Sequence, residues 1–221
     1  MLRRLALPLL LCLLLALAAC SSKPYGHYKD DKMIGNIERV ELENNVVEVD
    51  ISEWSKRDIR GNVDDYGVTI PVKITDDLII KKEDGTLSNI NSLEIGQKVL
   101  INPPKMSDEG IRYKAKEIIL LEMSYEEKYK RLLSHQKGKY LTTVFVKEGD
   151  SLPATMKDKL MGLLSKSPIN FGVYQEDFIV DYKQELNIEK FPVILVFDTK
   201  GLVFKTNDVD ELEAFFNSPT N

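Results

Sequence analysis

Apolar positions along this chain change their period, and each change opens a new segment. Behind Arg3 and Arg4, the apolar stretch Leu5 to Leu17 runs into the small residues Ala18 and Ala19. About a dozen apolar residues fall short of the roughly 20 a helix needs to cross a bilayer, so the stretch reads as a secretory signal. Residues 21–33 are polar and aperiodic, hold Pro24 and Gly26, and read as a tether. From Ile34 to Leu121 the period is two. Val40 and Leu42 alternate with charges, Asn44-Asn45 supplies a turn, and Val47, Val49 and Ile51 alternate again, which is a hairpin pattern. A polar loop over 52–65 carries Trp54, expected to pack at the mouth or core of the domain, with a ligand platform as the other reading. Tyr66, Val68, Ile70, Val72 and Ile74 keep strict alternation, and Pro71 on the outward phase predicts an edge strand. Leu78-Ile79-Ile80, a turn at Asp84-Gly85, a strand from Leu93 to Ile101 with a bend at Gly96, and a last strand from Ile111 to Leu121 follow. Several short strands with no long helix predict a small closed β-barrel over 34–122.

At Ser124 the period becomes helical. Ser124-Tyr-Glu-Glu127 is a capping box, and Tyr125, Tyr129, Leu132 and Leu133 give the apolar face of a helix running towards Gly138. Leu141 to Val146 reads as a buried strand, and Met156, Leu160, Leu163 and Leu164 as a helical stripe. Ile169, Phe171 and Val173 alternate as a strand, so the three elements form a βαβ unit. Val193 to Phe197 and Leu202 to Phe204 flank a turn at Gly201 and predict an antiparallel hairpin. Asp208 to Glu211 is placed to cap a closing helix with Val209, Leu212, Phe215 and Phe216 on its apolar face.

Charge and cysteine usage narrow the chemistry. The net charge of −5 argues against nucleic acid, which requires a basic footprint, and against adhesion to anionic lipid through charge alone. Cys12 lies inside the signal stretch, and after Cys20 the chain has no cysteine. Thiol nucleophiles, thiolate metal sites and dithiol redox chemistry are thereby excluded for residues 21–221. The histidines are His27, in the tether and read as solvated, and His135, near the predicted end of a helix. Asp30-Asp31, Asp64-Asp65 and Asp76-Asp77 lack the spacing of a calcium loop and read as solvated turns.

Three stretches resemble known families. Leu17-Ala18-Ala19-Cys20 resembles the lipobox of bacterial lipoproteins, which implies cleavage after Ala19 and a diacylglyceryl anchor on Cys20. Ile34-Gly-Asn-Ile37 with Leu93-x-x-Gly96-Gln-x-Val99 resembles small oligonucleotide/oligosaccharide-binding-type (OB-like) barrels of secreted Gram-positive proteins. Residues 123–221 resemble the thioredoxin fold in length and element order. Phe191-Pro192 stands at that family's cis-proline, and Asp198-Thr-Lys-Gly201 at its hairpin turn. The departure lies in the loop after the first central strand. Lys147-Glu-Gly-Asp150-Ser151-Leu-Pro153 has no Cys-x-x-Cys, and Ser151, with no base nearby in the sequence, reads as a helix cap rather than a nucleophile.

The expected fold class is therefore β and α/β. A signal peptide (1–19) and a lipidated tether (20–33) lead to an OB-like β-barrel (34–122) and a thioredoxin-like α/β domain (123–221). The expected function is a membrane-anchored, extracytoplasmic, non-catalytic binding or scaffolding module. The alternative is a redox-inactive accessory of thiol-disulfide or cytochrome-maturation chemistry that presents substrates to a true oxidoreductase. A carboxylate-based enzyme site is a third reading. Partners expected are the membrane, through Cys20, and an extended peptide or cell-envelope protein held in a groove near Asp150, Ser151, Phe191 and Pro192. No catalytic residue, metal, cofactor or nucleic acid is implied.

Overall fold

Alternation and turn chemistry build the first sheet. The computed structural model describes residues 29, 31–59, 67–104 and 114–218; the signal peptide, Cys20 and most of the tether lie outside them. The protein is mixed α/β, mostly strands, in two sheets. It divides into two units. One holds the described residues up to Ile90 with Lys98–Leu120, the other Asn91–Gln97 with those from Leu121 onward.

In the first unit, β1 (Met33–Glu41) and β2 (Val46–Asp50) form the expected hairpin, with Asn45 in the left-handed region (φ 51°) at the turn. The register shifts between Ile37 and Arg39, so the inward phase of β1 is Met33, Gly35 and Ile37, and Leu42 lies exposed in the turn rather than on an inward phase. Gly35 is obligatory: a Cβ there would sit 2.4 Å from the Asp50 carbonyl oxygen and 2.7 Å from Val49 Cγ1. A one-turn helix, α1 (Ser52–Ser55), buries Trp54, whose indole N–H donates to the Lys29 carbonyl at 3.1 Å while the Arg57 guanidinium covers its ring at 4.1 Å. Trp54 is a packing residue, not a platform.

The remaining strands are β3 (Thr69–Lys73), β4 (Ile79–Lys82), β5 (Lys98–Asn102) and β6 (Glu117–Leu120). Their order is β3-β2-β1-β5-β6-β4, with Pro71 on an edge strand as its missing N–H requires. The expected closed barrel is not found. β3 and β4 end the sheet and do not pair with each other among the described residues, and β4 runs parallel to β6. Alternation specifies which side chains face inward; closure depends on tilt and stagger between strands distant in sequence, which alternation does not encode.

In the second unit, α2 (Tyr125–Tyr129) opens on the predicted capping box. Glu127 N–H donates to Ser124 Oγ at 3.3 Å, and Ser124 N–H to Glu127 Oε2 at 2.8 Å. The helix is shorter than expected: the chain turns away after Tyr129, and Ser134 N–H goes to the Asp198 carbonyl, though Leu132 and Leu133 stay buried. Strand β7 (Leu141–Val146), helix α3 (Ala154–Gly162) and strand β8 (Ile169–Val173) form the βαβ unit, with β7 and β8 parallel. A one-turn helix α4 (Tyr182–Glu185) precedes the hairpin β9 (Val193–Phe197) and β10 (Leu202–Thr206), and α5 (Val209–Asn217) follows, capped by Asp208.

The sheet order is β10-β9-β7-β8, antiparallel except for β7 and β8. Both faces carry a core. Phe145, Val193, Leu195 and Phe197 pack with Tyr129 and Tyr182 on one side; Val144, Ile194 and Val196 pack with Leu160, Val209 and Leu212 on the other.

Candidate functional site

The carboxyl ends of the parallel strands β7 and β8 open on a cleft, the usual ligand position in sheets of this kind. Its volume is about 630 Å³, within the range of small-ligand sites. Lys147 and Glu148 enter from the loop after β7, Tyr174 and Asp177 from the loop after β8, and Phe191 from the segment before β9. Tyr174 is fixed at three points. Its N–H donates to the Val146 carbonyl (2.9 Å), its ring lies 5.2 Å from that of Phe191, and its hydroxyl donates to Asp181 Oδ1 (3.0 Å).

Asp181 also accepts from the Gln184 N–H at 3.0 Å, the cap of α4. That backbone bond, with the Tyr174 hydroxyl, holds the Asp181 carboxyl below the usual carboxylate range. Partial burial and the neighbouring carboxylate push the Tyr174 phenol up. Both groups are thereby held in their ordinary neutral-pH forms, a phenol and a carboxylate, and neither is a poised acid or base.

A second wall comes from Ile95. Its N–H donates to the Asp177 carbonyl (3.0 Å), and its carbonyl accepts from Ile179 N–H (2.8 Å). The neighbouring Gly96 has φ 85°, and a Cβ there would lie 2.4 Å from Phe178 Cε2. The strand expected from Leu93 therefore starts only at Lys98, because the preceding residues serve the second unit.

The Phe191-Pro192 bond is cis, as the sequence led us to expect. Asn207 straps this segment: its Nδ2 donates to the Pro192 carbonyl (2.5 Å) and the Lys190 carbonyl (3.1 Å). Backbone bonds to Phe191 N–H or C=O are not formed among the described residues.

The sequence placed Asp150, Ser151, Phe191 and Pro192 around one groove. Phe191 lines the cleft, but the loop after β7 reaches it through Lys147 and Glu148 instead. Asp150 and Ser151 are exposed beyond a turn at Gly149, and α3 begins at Ala154 with Pro153 in the N-cap position and no side-chain cap, so Ser151 is not the cap it was expected to be. Ala19 and Cys20 lie outside the described residues. His135 is exposed, and the described residues contain no cluster of His, Cys, Asp or Glu able to hold a metal. Sequence reasoning missed Tyr174, Asp181 and Asn207. Asp181, three residues before Gln184, carries a weak capping signal; Asn207 carries none, since its partners lie 15 and 17 residues away.

No family model matches this chain, and no curated protein does. Among solved structures, the thioredoxin of Malassezia sympodialis (Mala s 13) is similar over 42% of this chain and 83% of its own, at 17% identity and a TM-score of 0.30.

Proposed function

We propose that this protein is a membrane-anchored extracytoplasmic lipoprotein, held by diacylglycerol on Cys20, whose second unit is a thioredoxin-like domain that binds and does not catalyse. The single observation that carries the binding role is the cleft itself. It joins the aromatic wall of Tyr174 and Phe191 to a backbone segment whose Phe191 amide groups take no backbone partner among the described residues. An extended peptide is the ligand this surface suits, its main chain bonding to Phe191 and its side chains meeting the aromatic wall. The lining mixes Lys147 and Lys183 with Glu148, Glu176 and Asp177, so a peptide of mixed charge is favoured over a strongly acidic or basic one. The Tyr174 phenol in the lining is committed to Asp181, and the lining has no thiol or imidazole.

The test is a photocrosslinking residue at the exposed Gln175 in the full chain, activated in intact cells. A discrete protein or peptide adduct is expected, weakened about tenfold or more by Phe191→Ala, the usual effect of losing an aromatic anchor. Absence of any adduct, or one indifferent to Phe191, overturns the reading. Adducts dominated by thiol oxidoreductases would instead support the role of a redox-inactive accessory. The anchor is tested separately: Cys20→Ser should abolish fatty-acid labelling, and undiminished labelling would remove the lipoprotein assignment.

A further inference from the structure

We propose that the second unit also binds a small amphiphilic anion, an apolar body the size of one side chain bearing a carboxylate or phosphate, its head group accepting from the Thr143 hydroxyl and from Arg131 and its body lying over Phe145 and Gly172. This does not rest on the peptide reading of the cleft.

The floor follows from strand register. β7 and β8 pair with Thr143 beside Asn170 and Phe145 beside Gly172, placing these four positions on one face. Gly172 contributes no side chain, and Phe145 leans across it: a Cβ there would lie 3.3 Å from Phe145 Cε1. A cavity of about 230 Å³ is left above the floor, roofed by Leu132, Phe178 and Tyr182. It is smaller than sites for drug-sized ligands, and its size suits a single ring or a branched chain.

Thr143 makes this more than a packing defect. It is 3% exposed, lines the cavity, and its hydroxyl has no hydrogen-bond partner among the described residues. Its neighbour Thr142, on the other face, donates to Ser167 Oγ at 3.0 Å. A buried hydroxyl without a partner destabilises the fold, and valine would fill the same space without that cost. The roof offers no relief, since the Tyr182 hydroxyl is committed to the Lys128 carbonyl at 3.1 Å.

Arg131 and Asn170 line this cavity and also a second, of about 500 Å³, so the two share a wall. Lys139, Lys166 and Ser165 join Arg131 there, and no carboxylate lines it. Arg131, Lys139 and Lys166 form no ion pair among the described residues. In a chain of net charge −5, an acid-free group of three cations beside an apolar chamber selects an anion with an apolar appendage.

The test titrates the full chain calorimetrically with phenyl phosphate and phenylacetate, with inorganic phosphate as the headgroup alone and benzyl alcohol as the body alone. At least one aromatic anion should bind about tenfold or more tightly than either fragment. Arg131→Gln should weaken it about tenfold and Thr143→Val about fivefold, the worth of one hydrogen bond. Unliganded Thr143→Val should melt higher than the parent chain, which separates lost binding from lost folding. The proposal is overturned if neither anion binds at millimolar concentration, or if phosphate alone matches phenyl phosphate. It also fails if Thr143→Val binds unchanged or melts lower. Phe191→Ala, which tests the cleft, should leave this binding intact.

Discussion

Two strands in different sheets show how differently the two units use the same local geometry. In β5 of the first unit, burial alternates: Val99 and Ile101 are fully enclosed, while Lys98, Leu100 and Asn102 are partly open. In β9 of the second unit all five residues are buried. The helices explain the contrast, since α3 and α5 cover one face of the second sheet while α2, α4 and their loops cover the other. A sheet covered on both faces doubles the apolar area each central strand removes from water, about 25 cal/mol per Å². The price is tolerance, because no side chain on such a strand is free to change.

Truncations at adjacent positions test that contrast most severely. Ile194→Ala and Leu195→Ala lie on opposite faces of β9, both fully buried, and each should cost about 2–5 kcal/mol by denaturant unfolding. In β5, Ile101→Ala should cost as much, but Leu100→Ala less than half of that. If Leu100→Ala proves equal to Ile101→Ala, the outer face of the first sheet is covered too and the contrast fails.

Local signals were the legible part of this molecule. Ser124 and Glu127 announced a helix start because both partners of a capping box sit within one turn. Asn44-Asn45 announced a hairpin, and Pro71 an edge, because each acts through its own backbone. What failed to show was non-local. Whether β3 meets β4 is decided by tilt accumulated over the whole sheet. Past the end of α2, the Ser134 N–H finds its partner in the Asp198 carbonyl, 64 residues further along, which no local pattern announces. The candidate site divides likewise. Phe191-Pro192 was visible through its resemblance to a known element, whereas the Asn207 strap and the Tyr174–Asp181 pair depend on tertiary placement.

Glycines sharpen the comparison at intermediate magnitude. Gly35→Ala would drive a methyl against the Asp50 carbonyl, which is backbone and cannot swing aside, so a loss of about 1–3 kcal/mol or more is expected. Gly96→Ala meets both a positive φ and the Phe178 ring, and should lose a similar amount. Gly85 has φ 88° with nothing near its added methyl, so Gly85→Ala should lose only about 1–2 kcal/mol, from the backbone alone. Equal melting points for Gly35→Ala and the unaltered chain would contradict the close approach of β1 and β2.

The smallest effect expected is electrostatic and belongs to the first sheet alone. Glu117 on β6 accepts from Lys81 Nζ on β4 at 2.5 Å and from Asn102 Nδ2 on β5 at 2.8 Å, so one carboxylate ties three strands together. Those hydrogen bonds, the lysine first, hold its carboxyl below the ordinary glutamate range. A carboxyl depressed in the folded state contributes stability that is present above its unfolded pKa and is lost as pH falls through the folded one. The unaltered chain should therefore lose more stability on acidification below about pH 4–5 than Glu117→Gln, which carries no titratable group there. The pair is partly solvated, so the difference should be about 0.2–1 kcal/mol and should shrink in high salt. Denaturant midpoints for both proteins at neutral and acid pH check it. Parallel pH profiles for the two would show that Lys81 and Asn102 leave the carboxylate free in solution, and that the β4 edge is held by its backbone ladder to β6 alone.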